Sequence, residues 1–160
     1  MKNLESLFKH FVKDIYYAER QVLKTLPKMA RKAESDDLRE AFEHHHGETE
    51  EQIENLKKVF DLLGLKPRGV TCEAIDGILE EGKEIMEEAD AGDTRDAGMI
   101  AAAQAVEHYE ITRYGTMVSW AKTLGYDEAA ELLQKNLDQE YAADQKLSKL
   151  GEGTLNKQAA

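Results

Sequence analysis

Five glutamates, one aspartate and one histidine interrupt the apolar faces of the chain where packing alone would place leucine. The clearest row is Leu133, Leu137, Glu140, Asp144 and Leu147, spaced by four, three, four and three residues, so that two carboxylates share a helix face with three leucines. Glu19 follows Ile15 by one turn. His45, Glu48 and Gln52 follow Phe42 at helical spacing, and Glu107 and Glu110 lie among Ala103, Val106 and Ile111. A carboxylate on a core face is costly unless it is paired or metal-bound, and acids sharing one pocket cannot all stay ionised. Two divalent metal ions satisfy both conditions. Carboxylate oxygens with an imidazole suit iron first and manganese next, and zinc also accepts this ligand set.

These groups can meet only if helices carry them to one place. The apolar periodicity predicts a first helix from about Leu4 to about Ala33, with Pro27 expected to kink or briefly break it. Ser35, Asp36 and Asp37 supply a turn and a cap for a second helix from about Asp37 to Leu63, which Gly64 and Pro67 end. A shorter amphipathic segment from Cys72 to about Ala89, containing Gly77 and Gly82, reads as a crossover. Asp93 or Thr94 is expected to cap a third long helix that stops at Gly125, and a fourth runs from about Asp127 to Leu150. One domain over residues 1–150 results, and residues 151–160 are expected to fray. Of the run His44, His45 and His46, only one can face the core. Tyr16, Tyr17, Tyr109 and Tyr114 are candidate hydrogen-bond donors to ligand carboxylates.

Two short connections and one long one imply two antiparallel hairpins joined by a crossover. The fold class is therefore all-α, a ferritin-like antiparallel four-helix bundle whose long crossover carries an additional short helix. At about 1.5 Å per residue, counting from the two hairpin turns places Glu19 between Glu48 and Gln52, Glu110 level with Glu140, and Glu107 level with Asp144. Both hairpins thus bring their acids to mid-bundle. Glutamates from all four helices, paired on some of them, are the arrangement of di-iron and di-manganese bundles.

Composition narrows the functional classes. The chain has 160 residues, 33% of them charged, with a net charge of -11. Nucleic-acid binding rests on Lys and Arg displacing counterions, so that charge argues against it and favours cations as partners. Lone Cys72 cannot form an internal disulfide, the first residues lack a continuous apolar leader, and no stretch is long and apolar enough to span a bilayer. The expectation is a cytoplasmic protein with no membrane partner. No phosphate-binding loop, paired-cysteine knuckle or nucleophile elbow is present.

The stretches Asp14 to Gln21, Glu48 to Ile53, Ala102 to Ile111 and Glu140 to Asp144 resemble the bacterial YciE/YciF-type ferritin-like stress proteins. The most specific match is Val106 to Ile111 followed by Tyr114 and Gly115. This resemblance covers nearly the whole chain. It implies a rubrerythrin-like bundle with an extra helix, a homodimer, a role in stress responses, and an enzymatic activity not firmly defined. By that resemblance Glu19, Glu48, Glu107 and Glu140 match the four carboxylates of a ferritin-like site, and Glu110 matches the additional glutamate of rubrerythrins. The chain departs from the pattern at the histidines. Where rubrerythrin-like sites carry Glu-x-x-His twice, Glu48 is followed by Glu51 and Glu140 by Ala143. His45 and Asp144 stand as the substitutes.

Two functions follow from this pattern. The first is a dinuclear, di-iron stress-response protein reacting with oxygen or peroxide through ligands Glu19, His45, Glu48, Glu107, Glu110, Glu140 and Asp144. The alternative is a non-catalytic structural or interaction protein that keeps the fold, which the missing histidines favour.

Overall fold

Asn3 and Ser6 cap each other at the start of the chain: Asn3 Oδ1 accepts from the Ser6 backbone at 2.9 Å, and Ser6 Oγ accepts from the Asn3 backbone at 3.2 Å. Helix α1 (Leu4–Lys32) begins there. In this computed structural model, which describes residues 1–160, α1 runs without a break through Pro27. No break occurs there, because Leu26, Met29 and Ala30 around the proline are buried against the bundle, and tertiary packing outweighs one lost backbone bond.

Helix α2 (Asp36–Leu62) starts at Ser35, whose hydroxyl accepts from Leu38 N at 3.3 Å. It ends at Gly64, where a φ of 66° turns the chain away. The crossover contains α3 (Glu73–Glu88), and α4 (Asp93–Thr123) and α5 (Asp127–Leu150) form the second hairpin. Neither Asp93 nor Thr94 caps α4; Gly92, with a φ of 107°, takes that position and gives no side-chain bond.

The four long helices form a ring in which α1 and α5 each pack between α2 and α4, while α3 lies on α4 and α1. Two contacts fix the orientation of the hairpins. Asp96 in the first turn of α4 bonds the α1–α2 turn at Glu34 and Ser35, and Tyr126 in the α4–α5 turn bonds Glu5 at the start of α1. The hairpin turns therefore sit at opposite ends, and the crossover must travel back along the bundle. It docks closely on α1: Val70 N donates to Lys13 O at 3.3 Å, and a side chain at Gly69 would come within 2.9 Å of Tyr17 Cβ.

The core is one continuous cluster, with Phe8, Ile15, Leu38, Phe60, Met99, Met117 and Leu133 among its fully enclosed members. A π-helical turn at Gly151–Leu155 and a last helical turn, α6 (Asn156–Ala159), pack on α4, anchored by buried Leu155. No helix is long and apolar enough to cross a membrane.

Candidate metal centre

One turn above Phe42 on α2, one residue beyond Val106 on α4 and three beyond Leu137 on α5, the helix faces exchange apolar groups for polar ones. His45, Glu107, Glu110 and Glu140 converge there, each buried, with one ligating atom from each lying within 4.8 Å of the others. His45 Nε2 stands 3.3 Å from Glu107 Oε1 and 3.6 Å from Glu140 Oε2. Glu19 approaches from α1, fully buried, and accepts a hydrogen bond from the Tyr114 hydroxyl. All four long helices contribute to this one pocket.

Two of the sequence candidates stand apart from the inner group. Glu48 sits at its edge, with Oε2 3.1 Å from His45 Nδ1 and Oε1 3.2 Å from His44 Nε2. Asp144 lies outside the cluster and only half-buried, with Oδ1 3.1 Å from both Gln104 Nε2 and His108 Nε2. Four helical residues turn through roughly 400°, so a side chain one turn past Glu140 points about 40° to one flank. On that flank α4 presents Gln104 and His108, which hold the carboxylate.

Of the three consecutive histidines, only His45 is buried. The four tyrosines divide their tasks. Tyr114 alone bonds a cluster carboxylate; Tyr109 donates to Asp14 Oδ2 at 2.9 Å and meets Cys72 Sγ at 2.9 Å, Tyr17 bonds Asp76 of α3, and Tyr16 packs edge-on against Phe60. Buried Asn136 was missed at the sequence level. Its amide donates to Gln52 O at 3.2 Å and to the Tyr114 hydroxyl at 3.1 Å, bracing the group that holds Glu19. Its position four residues before Glu140 is the signal that marks it.

Burial dominates the electrostatics. It pushes Glu19 up to about 7 against the pull of the Tyr114 hydrogen bond and His45, and Glu107 up to about 8, with Glu110 and Glu19 adding to the rise. Glu110 and Glu140 are raised well above the carboxylate range, first by burial and then by neighbouring carboxylates. Burial would lower His45, but the Glu48 hydrogen bond and the charges of Glu140 and Glu19 outweigh it and leave the imidazole raised. Glu48 moves the other way: burial would raise it, and bonds and charge from His45 and His44 bring it below its ordinary value.

The donor set fits a metal on an independent ground. Seven polar atoms of the cluster have no hydrogen-bond partner: Glu19 Oε2, His45 Nε2, Glu107 Oε2, and both oxygens of Glu110 and of Glu140. The Gln52 amide beside them is likewise unpartnered on both atoms. Buried acceptors are rarely left this way, and so many in one pocket leave room for cations as the shared partner.

The architecture thus defines an all-helical bundle with a buried carboxylate–imidazole cluster at its centre. The chain belongs to the family described as Domain of unknown function (DUF892), whose model matches residues 3–160. It is 42% identical to protein YciF of Escherichia coli strain K12, over 99% of this chain and 96% of that one. The crystal structure of that stress protein superposes with a TM-score of 0.93, covering 98% of this chain and 99% of YciF. YcfI of Rhodopseudomonas palustris, proposed to be a structural protein, is 49% identical with a TM-score of 0.89, over 92% of this chain and 94% of that one. A protein of Xanthomonas campestris, 22% identical with a TM-score of 0.77 over 96% of this chain and 94% of its own, shares the fold.

Proposed function

We propose that this protein is a ferritin-like stress-response protein that binds two divalent metal ions, iron foremost, through Glu19, His45, Glu107, Glu110 and Glu140, and reacts there with oxygen or peroxide. The observation that carries this reading is the set of seven unpartnered donor atoms at the meeting point of four helices. Burial of that many carboxylates without cations would force most of them to hold protons. Likeness to the E. coli stress protein supports the biological setting, and cytoplasmic location and a homodimer complete the proposal.

A bound metal pair would supply the redox and Lewis-acid chemistry. The chain's own groups prepare the site for it. Glu48 engages Nδ1 of His45 and so leaves Nε2 directed at the cluster. Tyr114, itself braced by Asn136, orients Glu19. Phe42 and Leu147 wall the approach with apolar surface, limiting water beside the acids.

Protein purified from iron-supplemented cells should carry about two metal ions per chain by elemental analysis, in line with dinuclear carboxylate bundles. Glu140→Ala and Glu19→Ala should lose them. A wild-type metal content near zero would sink the proposal. Peroxide consumption against oxygen-driven oxidation of added ferrous iron then separates the two possible oxidants.

A second reading is a structural protein without catalysis. The ligand set favours it: His45 is the sole nitrogen donor, Asp144 stands outside the cluster and replaces no histidine, and the likeness to YcfI points the same way. In that case metal raises the melting temperature while neither oxidant is consumed.

A further inference from the structure

We infer that the gap between α2 and α5 is the route by which a divalent cation reaches the centre, with His44 and Glu48 forming an outer transit site. This rests on the metal-centre reading above. A cavity of about 120 Å³ opens there, with His45 and Glu107 at its floor and His44, Glu48 and Lys146 among its lining. Ala142 and Ala143 leave the gap where a larger α5 side chain would close it. At roughly 30 Å³ per water, the space takes a cation with part of its hydration shell and is too small for a bulky organic molecule.

The chemistry of the lining is graded from solvent to interior. His44 is exposed, Glu48 is half-buried and His45 is buried. Glu48 gives one oxygen to each imidazole, at 3.2 Å to His44 Nε2 and 3.1 Å to His45 Nδ1. His44 and Glu48 stand one turn apart on the same helix, a spacing that lets both grip one ion. At the inner end His45 Nε2 and Glu107 Oε2 are buried, unpartnered and next in line. Around Glu19 the way is closed by Tyr114, Asn136 and Gln52, all fully buried. Lys146 adds one positive charge at the mouth, which slows a cation and would speed an anion.

The test mixes metal-free protein with Co²⁺, follows the rise of the ligand-field absorption, and measures the final stoichiometry by elemental analysis. His44→Ala and Ala143→Leu should each slow uptake by an order of magnitude at unchanged final stoichiometry. Lys146→Glu should quicken it several-fold, more at low salt than at high. Wild-type rates in both His44→Ala and Ala143→Leu would overturn the route while leaving the centre in place, as would slower uptake in Lys146→Glu. Absence of any uptake by the wild type would overturn the centre and the route together. His44 is exposed, so its variant keeps the test valid if leucine at 143 disturbs packing.

Discussion

The carboxylate of Asp96 accepts the backbone N–H of Ser35 at 2.7 Å, so the second hairpin caps the turn of the first. Its other oxygen takes Glu34 N at 2.9 Å, and the side chain is almost wholly enclosed. Asp96→Ala should strand both donors and lower stability by about 2–3 kcal/mol, the usual scale for charge-assisted bonds to buried groups. Thermal unfolding should show a melting temperature lower by several degrees with metal stoichiometry unchanged. An unaltered melting temperature would show that the contact contributes nothing.

Tyr114→Phe removes the donor to Glu19 and the acceptor of Asn136 with almost no change of volume. We expect metal-free protein to lose about 1–3 kcal/mol in urea unfolding, since two buried groups lose a partner. Asn136→Ala should be partly redundant with it in a double-mutant cycle. Fully additive losses would argue against a linked network.

Glu110 has both carboxylate oxygens buried and unpartnered. Glu110→Leu should therefore stabilise the metal-free protein, by about 1–3 kcal/mol on the scale of a buried polar group left without a partner. The same change should weaken metal uptake. Destabilisation of the metal-free variant would mean that Glu110 contributes to the fold itself.

The raised acids fix a pH dependence for the metal-free state. Glu19 at about 7 and Glu107 at about 8 lie above the ordinary carboxylate value, so the folded protein binds more protons than the unfolded one between that value and 8. Stability then falls as pH rises wherever the folded state holds the extra protons. This contribution is complete at mildly acid pH below the unfolded value and is lost as pH climbs through 7 and 8. Melting temperatures of chelator-treated protein should decline from about pH 5 to about pH 8.5, and saturating Mn²⁺ should flatten the decline. A rise over that interval would contradict the assignment.

The long helices were legible because each carries an apolar row at a 3.6-residue period, and Gly64 and Gly125 mark the ends of α2 and α4. The same row placed Glu19, Glu107, Glu110 and Glu140 in the core. Asp144 shows the limit: it lies on the apolar row of α5, yet the flank it faces depends on how α4 sits, which no single-helix pattern contains. Asp96 was hidden for the same reason, since its partners are backbone groups 61 and 62 residues away. At Pro27 the local rule allowed a break that tertiary packing around Leu26, Met29 and Ala30 does not permit.

The cluster draws Glu19 and His45 from the first hairpin, and Glu107, Glu110 and Glu140 from the second. A cation shared across that divide would be a cross-link between two halves that otherwise meet through packing and a few hydrogen bonds, such as those of Asp96 and Tyr126. Separating the hairpins would then require giving up every metal bond at once, so the ion acts on the lifetime of the folded chain as well as on its equilibrium. With an ion bound, the centre of this bundle would serve as its clasp, holding the halves closed for as long as the ion stays.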